Sequence, residues 1–277
     1  MNRIFLIAKN AFRAVMSQRA LFMWGFAVVI MFLRSGPALF TSQGTEMATF
    51  LRANAVSGSL DLWSYLCLAA AIYLGATSVS TDLRTKTIIT VLARPVRRWE
   101  LLIGKWLGLS AFCVVTLGLG VVLAFGLSRY LGVNMDGDVL AISATRTIAG
   151  IVLFCGIAAV LSSSGSAPVA VAITMFVAIV PNLIEPLRAD SHPTYHRIGV
   201  ALDPLVPPGY QSNYNGVVWA PLPIPPQMRG RMPQAMRQRP TVDYPAQQKQ
   251  TAETVGYAGV YFVIGCFFFG RRDLKFS

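Results

Sequence analysis

Residues Thr147 to Ile184 read "TIAGIVLFCGIAAVLSSSGSAPVAVAITMFVAIVPNLI", an apolar run interrupted by the polar stretch "SSSGSAP" at Ser162–Pro168. As one helix this run would be about 57 Å long, whereas the hydrocarbon core of a bilayer is about 30 Å thick. A single crossing cannot accommodate that length. The run therefore predicts two membrane-crossing helices with a break at the serine-rich stretch.

The rest of the chain has the same character. Of its 277 residues 54% are hydrophobic and 13% are charged, which lies outside the usual composition of a soluble globular domain. Windows almost free of charge recur along it, and each can span a bilayer if a few flanking residues are included. We predict an all-α polytopic membrane protein with six transmembrane helices, at Ala20–Leu33, Leu62–Ser80, Trp106–Ser128, Thr147–Leu161, Ala167–Ile184 and Thr254–Gly270.

The lysines and arginines predict the orientation of these helices, because short cytoplasmic loops are rich in both residues. One side would carry Arg3, Lys9, Arg13, Arg19, Arg84, Lys86, Arg94, Arg97, Arg98, Lys105, Arg271, Arg272 and Lys275. The short loops of the other side would carry only Arg34, Arg52, Arg129 and Arg146. We therefore expect a multi-pass protein of the cytoplasmic (inner) membrane with both termini in the cytoplasm.

The formal net charge of +12 raises the question of nucleic acid binding. No zinc-finger spacing or RNA-binding aromatic signature accompanies it, so cytoplasmic-loop charge and anionic lipid explain it better. Cys67, Cys113, Cys155 and Cys266 each fall alone in a predicted span, and we interpret them as packing residues. Pro193 makes a metal-binding helix carrying His192 and His196 doubtful. We expect no metal, cofactor or nucleic acid.

The first nineteen residues form an amphipathic pattern. At 100° per residue, one arc carries Arg3, Lys9, Asn10, Arg13 and Ser17, and the other carries Phe5, Ala8, Phe12, Val15 and Met16. This predicts an interfacial helix along the cytoplasmic leaflet. The alternative is a simple basic flank to the first span.

The stretch between the second and third predicted spans, residues 81–105, contains "TDLRTKTIITVLARPVRRWELLIGK". Pro95 cannot continue a preceding helix, but it suits the first turn of a new one. The pattern predicts a helix from about Asp82 to Ala93, a break, and a second helix from Pro95 into the third span. A charged helix protruding between two spans is suited to docking a soluble partner.

These residues resemble the segment between the second and third spans of ATP-binding-cassette (ABC) type 2 permeases. The matching positions are Asp82, Thr87, Pro95, Arg98, Gly104 and Lys105, whereas Lys86 stands where that family often has glycine. The tail "CFFFGRRDLKFS" is similar to the family's ending, and the six spans and large outer loop also fit. The resemblance covers essentially the whole chain and is closest to the group that includes the nitrous-oxide-reductase maturation permease.

The resemblance implies a permease subunit without its own motor, a single transmembrane domain over residues 1–277. The sequence contains no Gly-x-x-x-x-Gly-Lys-Ser/Thr phosphate loop, so ATP would be bound by a separate ATPase subunit rather than by this chain, which would not itself be an enzyme. Two permease copies, identical or related, would pair. The ATPase would dock on the coupling segment 81–105, at Asp82, Arg84, Thr87, Arg94, Pro95, Arg97, Arg98 and Glu100. The alternative role of the arginines is topology and lipid binding alone.

The predicted outer loop, 188–253, contains most of the chain's 16 prolines, which disfavour long helices and central strands. Its aromatic residues are Tyr210, Tyr214, Trp219 and Tyr244. Two interpretations stay open: the loop caps the outer mouth or binds an extracytoplasmic protein, or it is a flexible spacer.

The residues of the predicted spans distinguish among four candidate functions. A secondary transporter normally has buried carboxylates at the midplane, and a membrane enzyme needs a catalytic constellation; the predicted spans show neither. An ATP-driven permease that exports a cargo or performs transmembrane conformational work is the leading hypothesis. The second is a non-transporting membrane anchor or motion-transmitting subunit for an extracytoplasmic partner.

Overall fold

A computed structural model describes residues 3–16, 18–40, 46–84, 98–164, 166–189, 214, 217–218 and 244–271. All regular structure in these residues is α-helical. The helices are α1 (Arg3–Val15), α2 (Gln18–Phe40), α3 (Glu46–Arg84), α4 (Arg98–Leu131), α5 (Gly137–Ser164), α6 (Ala167–Ala189) and α7 (Tyr244–Arg271). Each of the six predicted spans lies inside one of the helices α2 to α7.

The helices run back and forth between two ends of a bundle. We call the end where α3 finishes and α4 begins the near end, and the opposite end the far end. Helix α5 returns toward the near end, where Trp106 of α4 donates to the Val152 carbonyl. Helix α7 also finishes there, because Gly265 packs against Val160 of α5. The described N-terminal and C-terminal helices thus share the near end.

Two connections show why the helices stop where they do. Helix α5 ends at Ser164 and α6 begins at Ala167, which confirms the helix break predicted in "SSSGSAP". After α4, Gly132 adopts a left-handed conformation with φ of 68°, which only glycine adopts without strain. Asp136 then caps α5, since its Oδ1 accepts from the Asp138 N–H at 3.1 Å and the Val139 N–H at 3.3 Å.

The buried apolar residues form two main clusters. The larger, near cluster joins α2 to α6 and contains Trp63, Ile72, Phe112, Cys113 and Phe154. The far cluster joins the far-end parts of α2, α3, α4 and α5 to three residues of the chain that follows α6. Its members are Met31, Ala38, Ala53, Ala55, Val56, Leu60, Ala124, Leu127, Leu131, Val139, Tyr214, Val217 and Val218. The bundle is therefore packed at both ends.

Among the described residues, three helices are long and apolar enough to cross a membrane: Met47–Ser78, Trp99–Leu131 and Gly137–Ser163. Trp24–Gly36 and Ala167–Val180 are shorter apolar segments. The structure therefore supports a multi-pass membrane protein by length and composition. The crossing number of six stays a prediction.

Several predicted loop residues lie on helices instead. Helix α3 begins at Glu46, sixteen residues before the predicted second span, so its 39 residues are about 58 Å long. Arg34 is on α2, Arg52 on α3, Arg129 on α4 and Arg146 on α5. Helix α7 starts at Tyr244, ten residues before the predicted sixth span, and the extracytoplasmic placement of 188–253 stays a prediction.

Candidate functional site

Five consecutive residues at the start of α4, Gly104 to Gly108, contact three other helices. We call this stretch, "GKWLG", the joint. Its glycines face α1, its lysine reaches α3 and its tryptophan reaches α5. It lies six residues after the first residue of α4, so it is the place where the bundle holds the near-end segment that resembles a coupling element.

Gly104 and Gly108 let α1 approach α4 closely. A Cβ at Gly104 would lie 2.7 Å from the Ile7 Cβ, and a Cβ at Gly108 would lie 2.9 Å from the Ala11 Cβ. The Gly-x-x-x-Gly spacing places both glycines on one helix face, as in close helix pairs of membrane proteins.

One helical turn further along, the rings of Phe12 and Phe112 meet edge to face at 6.3 Å between centroids. Helix α1 therefore runs lengthwise beside α4, in the same direction. Its outward face exposes Phe5 and Leu6 together with the basic residues Arg3, Lys9 and Arg13. The exposed Phe5 and Leu6 depart from the segregation expected from the sequence, in which Phe5 lies on the apolar arc, and a position of α1 at the membrane surface stays a prediction.

Lys105 and Trp106 hold the other two helices. The Lys105 ammonium donates to the Ser78 carbonyl of α3, and the Trp106 indole N–H donates to the Val152 carbonyl of α5 at 3.0 Å. Gly156, one turn after Val152, makes room for that indole, since a Cβ there would lie 3.1 Å from the Trp106 nitrogen. These are buried or half-buried contacts between elements distant in sequence.

The part of α3 that faces Lys105 is rich in hydroxyl groups. Thr77 donates to the Tyr73 carbonyl at 2.8 Å, Ser78 to that of Gly75 at 3.0 Å and Ser80 to that of Ala76 at 2.9 Å. Side-chain hydroxyls that donate to helix carbonyls compete with the backbone ladder and often bend a helix. We infer from these bonds that residues 75–80 bend more easily than an uninterrupted helix, and we call them the compliant section of α3.

The predicted docking residues bracket this region. Asp82 and Arg84 are on the last turn of α3, and Arg98 is the first residue of α4. Glu100 lies in the first turn of α4 and is half-buried. Thr87, Arg94, Pro95 and Arg97 lie outside the described residues, as does the predicted helix break. The structure thus places both ends of the coupling segment at the near end, and its use as a docking site stays a prediction.

A tryptophan pair connects three helices beyond the joint. The Trp63 indole of α3 donates to the Thr116 carbonyl of α4 at 2.7 Å, and Trp24 of α2 donates to the Thr116 hydroxyl at 3.2 Å. The Trp24 ring stacks on Phe112 at 6.3 Å. Gly120 accommodates the Trp63 ring. This arrangement fixes α2 and α3 against α4.

At the far end, three residues of the proline-rich loop are packed among the helices; we call Tyr214, Val217 and Val218 the strap. Tyr214 is fully buried, its hydroxyl donates to Thr147 Oγ1 of α5 at 3.1 Å, and its N–H donates to Asp61 Oδ1 of α3 at 3.4 Å. The Val217 carbonyl accepts from the Asp136 N–H at 2.9 Å. The strap thus connects α3, α5 and the turn that precedes α5. Burial raises the pKa of Tyr214 to about 12, so its hydroxyl stays protonated at neutral pH.

Sequence reasoning missed Asp61. It lies at the middle of the apolar stretch Met47–Ser78 of α3, one residue before the span predicted at Leu62–Ser80. An ionisable residue inside a membrane helix normally pairs with another group, and the Tyr214 N–H supplies one partner.

The cysteines are also less isolated than their spacing indicated. Cys67, Cys113 and Cys155, from three helices, are buried in the near cluster. Among the described residues, no group of three histidine, cysteine, aspartate or glutamate side chains is placed to hold a metal ion. Packing accounts for the positions of these cysteines.

An all-helical bundle with several membrane-length helices defines a polytopic membrane protein. The sequence profile of the family described as "ABC-2 family transporter protein" matches residues 5–274, nearly the whole chain. The chain belongs to this family and is accordingly a permease-type membrane component of an ABC transporter. No curated protein matches the sequence significantly.

Proposed function

We propose that this chain works with a separate ABC ATPase subunit, which docks at the near end and drives movement of α3 and α4. Family membership implies an ATPase partner in general terms. The observation that carries the proposal is the joint, because a force applied to the segment between Arg84 and Arg98 reaches α1, α3 and α5 through contacts of five consecutive residues.

The docking surface we propose consists of Asp82, Arg84, Thr87, Arg94, Pro95, Arg97, Arg98 and Glu100. The arginines supply donors for acidic groups of the ATPase, and such charge-assisted bonds are stronger than neutral ones. The same arginines hold the segment in the cytoplasm.

We further propose that the near end faces the cytoplasm, in the inner membrane, and that two permease copies pair, as identical or related chains. The resemblance of "STDLRTKTIITVLARPVRRW" also supports a place in the group that includes the nitrous-oxide-reductase maturation permease. A cysteine introduced at Ser212 tests the orientation. It should react with a membrane-impermeant maleimide in intact cells, and labelling only after permeabilisation would contradict the proposed orientation.

Two outputs fit this arrangement. The first is export of a cargo, and the second is transmembrane conformational work on an extracytoplasmic partner. The strap supports conformational work as an output, because Tyr214, Val217 and Asp136 connect the outer loop to the same helices that the joint contacts at the near end. Movement of α3 and α5 would therefore reach the outer loop whether or not a cargo moves. An ATP-dependent flux assay in proteoliposomes separates the two outputs.

Site-specific photo-crosslinking tests the ATPase proposal. A photoreactive amino acid is placed at Trp99, which is 38% exposed at the near end of α4, and in a separate variant at Tyr130, 79% exposed at the far end. We expect the Trp99 position alone to crosslink to a protein with a Gly-x-x-x-x-Gly-Lys-Ser/Thr motif. The purified chain alone should not hydrolyse ATP.

Equal crosslinking of an ATPase from both positions, or none from Trp99 in a native membrane, would contradict docking at the near end. The matched pair is informative because both positions are on the same helix and both are accessible to reagents.

A further inference from the structure

We propose that Lys105 is a positioning residue: by donating to the Ser78 carbonyl, it connects α3 to α4 so that the coupling segment moves both helices together. The inference rests on the proposed function for its purpose. The connection between α3 and α4 through Lys105 does not depend on an ATPase, so it can be tested on the isolated chain.

The position of this hydrogen bond in the chain carries the first step. Ser78 and Lys105 are 27 residues apart, and residues 81–104 of the coupling segment lie between them. The bond therefore closes the base of that segment. With the base closed, a push on the segment cannot separate α3 from α4 without breaking a bond from a charged donor, which is stronger than a neutral one.

The composition of α3 explains why such a connection is needed. Thr77, Ser78 and Ser80 donate to carbonyls of their own helix, and Ser162 of α5 donates to the Gly75 carbonyl at 3.4 Å. A helix with this pattern bends easily. Without Lys105, α3 would absorb a displacement by bending at residues 75–80. With it, the compliant section is held against the start of α4.

The neighbours of Lys105 extend the effect. Gly104 and Gly108 seat α1, and Trp106 binds the Val152 carbonyl of α5. If Lys105 keeps α3 and α4 together, a displacement of the coupling segment would therefore pass to α1 and α5 as well. The competing role for Lys105 is to reach lipid headgroups with its ammonium, as lysines near helix ends do. In that role its removal would leave the separation of α3 and α4 unchanged.

Distance measurement between spin labels tests the proposal on the isolated chain. Cysteines for labelling replace Thr81 and Trp99, in the last turn of α3 and the first turn of α4 and outside the proposed docking residues, in a variant whose four native cysteines are replaced by alanine. In the parent we expect one narrow distance distribution. Lys105→Met keeps an unbranched side chain, one atom shorter than lysine, but loses the donor, and the population of separated helices should rise about tenfold or more.

Lys9→Met is the matched control, because Lys9 is an exposed lysine on neighbouring α1. It removes the same charge and should leave the distribution narrow. Lys105→Arg keeps a cationic donor and serves if Lys105→Met does not fold; its distribution should also stay narrow. An unchanged Lys105→Met distribution, equal broadening by Lys9→Met, or a broadened but folded Lys105→Arg variant would each overturn the proposal.

The second readout uses the chain together with its ATPase. Lys105→Met should bind the ATPase and permit ATP hydrolysis, but the change in label distance upon ATP binding should be lost. A purely stabilising role would lower the melting temperature and preserve that change, which overturns the proposal. If no ATPase binds the parent chain, the proposed function fails, whereas the result from the isolated chain still decides whether Lys105 connects the helices.

Discussion

Replacing Gly104 and Gly108 together by alanine should separate α1 from α4. A Cβ at Gly104 would lie 2.7 Å from the Ile7 Cβ, about 1 Å closer than ordinary van der Waals contact. At Gly108 the added Cβ would meet the Ala8 backbone carbonyl and, at 2.9 Å, the Ala11 Cβ. Neither a Cβ atom nor a backbone carbonyl can rotate out of the way, so α1 must shift by about 1 Å along this contact.

The magnitude follows from two opposing effects. Overpacking by a methyl group typically costs about 1–3 kcal/mol per site, whereas alanine gains up to about 1 kcal/mol of helix propensity over glycine. Over the two sites the cost is about 2–6 kcal/mol and the full gain is about 2 kcal/mol, so the double variant should lose about 2 kcal/mol of unfolding free energy, within a range of about 0–4 kcal/mol. The native cysteines report it, because Cys67, Cys113 and Cys155 are at most 1% exposed and should react with a fluorogenic maleimide only as the bundle opens on heating.

Gly118 and Gly126, on the same helix, provide the control. A Cβ at either position would have no neighbour within 4 Å, so the double alanine variant there should be as stable as the parent or more stable. If Gly104→Ala/Gly108→Ala melts at or above the temperature of this control, the close contact between α1 and the joint does not exist as described.

The remaining predictions concern the polar contacts. Trp63→Phe leaves the buried Thr116 carbonyl without its 2.7 Å donor, so the variant should lose about 1–3 kcal/mol of unfolding free energy in the same melting assay. Tyr73→Phe, at an exposed position of α3, is the control and should lose little. Equal losses in the two variants would refute the hydrogen bond from Trp63. Tyr214→Ala empties a fully buried site and should lose about 3–5 kcal/mol of unfolding free energy. Tyr214→Phe removes one hydrogen bond and should lose about 1 kcal/mol. Wild-type stability of both variants would show that the strap is not packed. Since the pKa of Tyr214 is raised from 10.0 to about 12, unfolding releases a proton between those values, so parent stability should fall from about pH 10 to pH 12 and fall less in Tyr214→Phe.

The hydrophobic pattern was sufficient to predict the helices but not all of their boundaries. The break in "SSSGSAP" followed from length alone, because no single crossing fits the run. The start of α3 could not be predicted in the same way, because Arg52, Ser57, Ser59 and Asp61 give residues 46–61 the composition of a polar loop. A periodic signal was present nonetheless: Ala53, Val56, Leu60, Trp63 and Cys67 recur at alternating spacings of three and four, and all five are buried.

The site shows a similar division. Gly104 and Lys105 were recognised as a matching pair, yet their partners Ile7 and Ser78 are far away in sequence and no local pattern identifies them. Tyr214 was one of several aromatic residues in a proline-rich loop. Only the placement of Asp61 and Thr147 on separate helices shows that Tyr214 is buried.

The central claim is that the near end binds the ATPase through the arginines of the coupling segment, and affinity after charge reversal tests it most directly. Arg84, Arg97 and Arg98 are changed together to glutamate, with Arg129→Glu at the far end as control, and correct insertion is first verified with the Ser212 label. Each charge-assisted contact contributes about 1.5–3 kcal/mol before solvent screening, so binding of the ATPase should weaken at least tenfold in the triple variant and not in the control. A correctly inserted triple variant that binds its ATPase with native affinity would contradict docking through these arginines.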